Sequence, residues 1–146
     1  MARKESQLCR KYHSALVRAI GDRVEQVKSK VASDWTNQWK ESIDTPIRDP
    51  LEFEKAYREF LEEELSFADH VDVSAAPGRL DVEVDGCIIC EGNEMLRQTG
   101  EQTFCPIIPT GMFALLRVHG RRATLEGVEK PGPVGSCRIH YRVDDS

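Results

Sequence analysis

The hydrophobic period of this chain changes once, near Asp69, and that change limits the folds open to it. Before it, Leu8, Tyr12, Leu16, Ile20, Val24, Val27, Val31, Trp35 and Trp39 recur at steps of three and four. That spacing puts them on one stripe of a long amphipathic helix, or of two helices in line, over residues 6–41. Gly21 marks a bend. Residues 42–49 read as a linker, and Asp49-Pro50 supplies an N-cap and a first-turn proline. Leu51, Phe53, Ala56, Tyr57, Phe60, Leu61 and Leu65 then form a second amphipathic helix ending near Ala68. After Asp69 the period falls to two. Leu80, Val82 and Val84 alternate with Asp81, Glu83 and Asp85, the pattern of a half-buried strand. A short helix is expected over 91–98, a third long one over 106–118, and two closing strands over 122–129 and 135–143. Cys137, Ile139, Tyr141 and Val143 share one face of the last strand. Helices followed by strands predict an α+β fold, with long N-terminal helices packed on a small antiparallel sheet that carries one inserted helix. The expected unit is a single domain, helical over 1–69 and cysteine-bearing α+β over 70–146.

Charge and hydropathy remove several classes of function. The formal net charge is -5, and basic groups such as Arg121-Arg122 are too short to form a phosphate-binding surface, so nucleic acid is not an expected partner. No apolar run approaches the roughly 20 residues that span a bilayer. The N-terminal Met1-Ala2-Arg3-Lys4-Glu5-Ser6 is followed by no apolar segment of the kind a secretory leader needs. A cytoplasmic protein without a membrane partner is the expectation. The acidic run Glu62-Glu63-Glu64 reads as the solvated face of its helix.

The chain has five cysteines. In a reducing compartment, such residues serve metal binding or chemistry more often than disulfides. Cys9 stands apart on the first helical pattern. The other four, Cys87, Cys90, Cys105 and Cys137, all fall in the second half. Cys87-Ile88-Ile89-Cys90 points two thiols at one place, which suits a soft metal. Cys105 follows after 14 residues and Cys137 after 31 more. These thiols lie at expected element ends, where a small α+β domain can gather them. Four thiolates would make a closed, structural zinc site, and an iron–sulfur cluster uses the same ligands. A second reading is chemical. Cys105 at a helix N-terminus has its thiolate favoured, and a nucleophile there needs a base, for which His119 and His140 are the candidates.

The C-terminal half also resembles the 4-vinyl reductase domain family, over residues 71–143. Three motifs carry the resemblance: Cys105-Pro106-Ile107-Ile108-Pro109-Thr110-Gly111, Leu125-Glu126-Gly127-Val128-Glu129, and Gly135-Ser136-Cys137-Arg138-Ile139. It implies a zinc-containing domain that binds a small, hydrocarbon-like molecule. It also implies metal ligands at Cys105, Glu126, position 129 and Cys137. Position 129 is Glu rather than the family's cysteine, which makes Cys87 or Cys90 a natural substitute and leaves Glu126 and Glu129 as alternative ligands. The cysteine-containing tail and the N-terminal helices are similar, secondly, to the L-2-amino-thiazoline-4-carboxylate hydrolase-like family, although position 108 is Ile where that family's pattern has Asp.

Together these readings predict a metal-stabilised binding or sensory domain for an apolar or aromatic molecule. Zinc would be held by Cys87, Cys90, Cys105 and Cys137. The ligand pocket is expected between helices and sheet, lined by Trp35, Trp39, Phe60, Met112 and Phe113. The long N-terminal stripe predicts a homodimer. The alternatives are a cysteine-dependent hydrolase or lyase using Cys105, and an iron–sulfur protein.

Overall fold

The computed structural model describes residues 4–144; residues 1–3, part of the segment on which the reading against a leader rests, and residues 145–146 lie outside the described range. The fold is α+β, as the change of period predicts. Helices α1 (Lys4–Ile20) and α2 (Val24–Glu41) are separated by a short 3-10 turn, Gly21–Arg23, in which Gly21 adopts φ 65°. A β-carbon is disfavoured at that angle, so glycine permits the break. Helix α3 (Pro50–Glu59) begins as predicted: Asp49 accepts the Glu52 N–H at 3.0 Å and Pro50 occupies the first turn. It continues through a wide π turn, Phe60–Leu65, and stops where Ser66 turns left-handed at φ 48°.

Strands β1 (His70–Ala76) and β2 (Arg79–Asp85) form a hairpin across Pro77-Gly78, with Gly78 at φ 80°. Helix α4 (Ile88–Gln98) follows, then α5 (Ile107–Ala114), which runs on through a π turn to His119. Strands β3 (Ala123–Glu129) and β4 (Cys137–Val143) complete an antiparallel sheet in the order β1-β2-β4-β3. The last strand in sequence is thus interior to the sheet.

The alternation predicted for β2 and β4 sets the two faces. Leu80, Val82, Val84, Cys137, Ile139 and Tyr141 are buried under the helices. Arg79, Asp81, Glu83, Arg138 and His140 line the outer face, where they form ion pairs. Helix α3 lies against β1, α5 against β3 and β4, α2 against α5, and α1 against α4. No helix among the described residues is long and apolar enough to cross a membrane.

Two elements differ from the sequence expectation. Helix α4 starts at Ile88 rather than near Glu91, so the Cys-x2-Cys unit forms its first turn instead of preceding it. The N-terminal stripe does not face the core along its whole length. Leu8, Tyr12 and Leu16 are 64%, 64% and 49% exposed, and α1 buries Ser14 and Val17 instead. The reason is polar. His13 packs where Gly92 leaves room for its ring, and its Nε2 lies 2.7 Å from Oδ1 of the buried Asn93. Asn93 in turn accepts from the Phe104 N–H (2.8 Å) and donates to the Phe104 carbonyl (3.1 Å). Around this clasp Val17, Val24 and Leu96 form a small second core.

Candidate metal centre

Local geometry gathers the four cysteines at one end of the sheet. Strand β2 ends at Asp85, Gly86 turns at φ 68°, and Cys87 becomes the N-cap of α4. The Cys87 N–H donates to the Gly135 carbonyl at 3.1 Å, and the Ile88 N–H donates to the Phe67 carbonyl at 3.0 Å. Gly135, at φ 106°, lies so close to the Gly86-Cys87 backbone that an added β-carbon would sit 3.1 Å from the Cys87 nitrogen. This approach delivers the start of β4, where Cys137 pairs with Val84 of β2. Cys90 lies three residues beyond Cys87 on the same helical face. Cys105 precedes α5, with the Ile107 and Ile108 N–H groups directed at its sulfur.

Cys87, Cys90 and Cys137 are buried, at 3%, 5% and 5% exposure. Their thiols neighbour one another, with Cys90 influenced by both Cys137 and Cys87. Hydrogen bonds from Cys137 and Cys87 hold the Cys90 thiol well below the ordinary range, and Lys130, whose Nζ lies 3.9 Å from its sulfur, acts in the same direction. The same contacts, with burial, push Cys87 and Cys137 upward. Burial is also the main cause that raises Cys105, with the charge on Cys90 second. Cys90 is thus the sulfur of the group that ionises most readily. Cys105 is partly exposed as a residue, but its sulfur points inward. Cys9 is exposed on α1.

Among the described residues no group of three or more His, Cys, Asp or Glu side chains is arranged to hold a metal ion. The Sγ–Sγ edge of a zinc tetrahedron with bonds of about 2.3 Å is about 3.8 Å, close to the separation of hydrogen-bonded thiols. The Cys87–Cys90–Cys137 group would fit such an ion only after its side chains rearrange and its protons are lost. Its donor set is that of a soft metal.

The other expected ligands lie elsewhere. Glu126 and Glu129 are exposed on β3. Glu129 approaches His140 Nε2 at 3.3 Å on the outer face, with the sheet between it and the thiols. Neither glutamate joins the centre, because the register of β3 against β4 pairs Glu129 with Arg138, on the solvated side.

The catalytic alternative loses its bases. His119 ends the helical run that starts at Ile107, placing it about 18 Å along the axis from the Cys105 end. Its Nδ1 lies 2.8 Å from the Ile47 carbonyl and its ring packs on Phe53. His140 is on the outer face, with Nδ1 2.6 Å from Asp81.

None of the cavities described among the described residues is lined by the expected pocket residues. Trp39 stacks on Phe60 at 4.6 Å, and both are buried in the main core. Trp35 and Met112 pack against its edge, and Phe113 carries the Arg117 guanidinium 4.4 Å from its ring centre. Aromatic stacking has filled the space that a ligand would need. A cavity of about 160 Å³ lies instead beside the β1–β2 hairpin, walled by Phe53, Ala75, Leu80, Leu115 and Val143 with His119 among them.

Sequence reasoning missed Tyr57, Tyr141 and Lys130 as neighbours of the thiols. Lys130 sits in a loop with no periodic signal, and both tyrosines read as ordinary core positions. Compared with protein-family models and with curated proteins, the chain matches none.

Proposed function

We propose that this protein is a metal-stabilised binding domain in which Cys87, Cys90, Cys105 and Cys137 hold one zinc ion. The observation that carries the reading is the convergence of four cysteines from three segments at one end of the sheet, with the Lys130 ammonium group 3.9 Å from the Cys90 sulfur. Ordinary packed cysteines have no need of a neighbouring ammonium group, and Lys130 supplies one. Zinc bound by four thiolates has no open position, so its role is to tie α4, α5 and β4 together. The resemblance to the 4-vinyl reductase domain family rests on the cysteine motifs and accords with this role. A cytoplasmic setting, which keeps thiols reduced, suits it as well.

The ligand in this proposal is a small apolar or aromatic molecule, received in the cavity beside the hairpin. Engineered cavities of about 150 Å³ admit benzene, so the volume of about 160 Å³ suits a ligand of roughly one ring. His119 offers the polar contact among apolar walls.

Elemental analysis of anaerobically purified protein tests the metal. About one zinc per chain is expected, with loss of metal and of thermal stability in Cys87→Ala and Cys105→Ala. Brown protein containing iron and sulfide would replace zinc with a cluster on the same ligands. Full metal content in both variants would rule out this ligand set.

A further inference from the structure

His119 is buried, at 6% exposure, and forms part of the wall of the cavity beside the β1–β2 hairpin. Its ring is held from two sides. Phe53 packs on it with 4.9 Å between ring centres, and Nδ1 lies 2.8 Å from the Ile47 carbonyl oxygen. That peptide is itself anchored, because the Ile47 N–H donates to the Val118 carbonyl at 2.9 Å. The segment before α3 is thus tied to the end of the α5 run by two bonds through Ile47.

A carbonyl oxygen only accepts, so Nδ1 carries the proton that joins it to Ile47. In the neutral imidazole the other nitrogen, Nε2, is then an acceptor. Nε2 has no partner among the described residues, and it is not one of the polar atoms sealed from solvent without one. It therefore keeps accessible surface on a side chain that is otherwise enclosed. Phe53, Ala75, Leu80, Leu115 and Val143 supply apolar wall around the same cavity. Two arginines also border it, and both are engaged. Arg79 holds the Asp81 carboxylate through bonds of 3.0 and 3.1 Å, and Arg121 donates to the Asp144 carbonyl at 3.3 Å. The cavity thus offers a neutral ring apolar contact and one fixed acceptor.

We propose that His119 sets the specificity of this cavity for hydrogen-bond donors: the ligand is a neutral single-ring molecule whose N–H or O–H group donates to His119 Nε2, and matched rings that carry only an acceptor are held less tightly. The inference rests on the reading of the cavity as the ligand site and adds the polarity of the ligand to it; the metal plays no part. An acceptor set against Nε2 would bring two lone pairs together in an apolar setting. A ring with neither group would strip water from Nε2 and leave it unpaired. A donor avoids both costs.

Pyrrole and furan are aromatic rings of nearly the same size, one presenting an N–H donor and the other an oxygen acceptor. Titration of the unaltered protein with each, followed by NMR of the residues around the cavity, separates the two cases. Pyrrole is expected to bind about 5-fold or more tightly than furan. In His119→Phe the two are expected to bind alike, because a ring remains and the acceptor is gone. Should His119→Phe fail to fold, the imidazole nitrogen spectrum of the unaltered protein decides: it is expected to show the proton on Nδ1, and an Nε2 resonance that moves with pyrrole and not with furan. Equal affinities in the unaltered protein would overturn the donor preference and leave the cavity a purely apolar site. A preference for pyrrole that persists in His119→Phe would overturn the role of His119, as would a proton found on Nε2. Binding of none of pyrrole, furan and benzene would overturn the ligand reading of the cavity, and this inference with it.

Discussion

Cys90 is made easier to ionise by its neighbours more than by its helix. Two thiols donate to it and an ammonium group stands 3.9 Å away, and these outweigh the burial that opposes ionisation. Cys87, Cys105 and Cys137 are held in the opposite direction and keep their protons around neutral pH. Metal binding must strip those three protons, whereas Cys90, held in the opposite direction, gives its proton up most readily. Affinity for zinc is therefore expected to rise with pH through the neutral range, with close to three protons released per ion. An indicator dye in weakly buffered solution measures this directly; release of one proton or none would contradict the pattern of charges. The cysteines were legible in the sequence because a Cys-x2-Cys unit is a local signal. The glutamates misled because their side of β3 depends on a bulge between Leu125 and Gly127 and on pairing with β4, neither of which is local. His119 and His140 misled for the same reason, since nothing in their immediate sequence shows that a helix length or a sheet separates them from Cys105.

Among the elements, α1 and α4 form a unit with its own rules. Their contact is organised by His13, Gly92 and Asn93, and the apolar contribution of Val17, Val24 and Leu96 is modest in extent. Asn93→Ala removes the acceptor of the Phe104 N–H and the partner of His13 together. With buried groups left unsatisfied, a loss of about 2 kcal/mol or more is expected in denaturant unfolding, well above the ~0.5 kcal/mol typical of surface changes. Gly92→Ala is expected to act similarly, because a β-carbon there overlaps the His13 ring. These three residues explain where helix periodicity failed as a guide. The stripe through Leu8, Tyr12 and Leu16 has the right spacing for a core face, but α1 docks through a polar clasp offset from it. The start of α4 was missed because its N-cap is Cys87, whose side chain makes no capping bond. By contrast, α3 announces itself through Asp49-Pro50, and β2 and β4 through alternation that the sheet uses without change.

For the molecule as a whole, the exposed stripe and the cavity each make a prediction. If Leu8, Tyr12 and Leu16 form the seam of a homodimer, Leu8→Glu with Leu16→Glu will yield monomers in light scattering at concentrations where the parent is dimeric. A parent that is itself monomeric would leave the stripe as plain surface. Filling the cavity beside the hairpin through Ala75→Leu is expected to abolish the thermal stabilisation given by single-ring aromatic compounds, while metal content stays unchanged. Retained stabilisation would place the ligand elsewhere. The sheet order adds a consequence in time. β4 is the final strand in sequence yet lies between β2 and β3, so the sheet stays divided until that strand inserts. Cys137 joins the other three cysteines only when that strand is in place. If the four sulfurs hold zinc as proposed, capture of the ion requires β4 in place, and a loaded chain is one whose sheet has been completed.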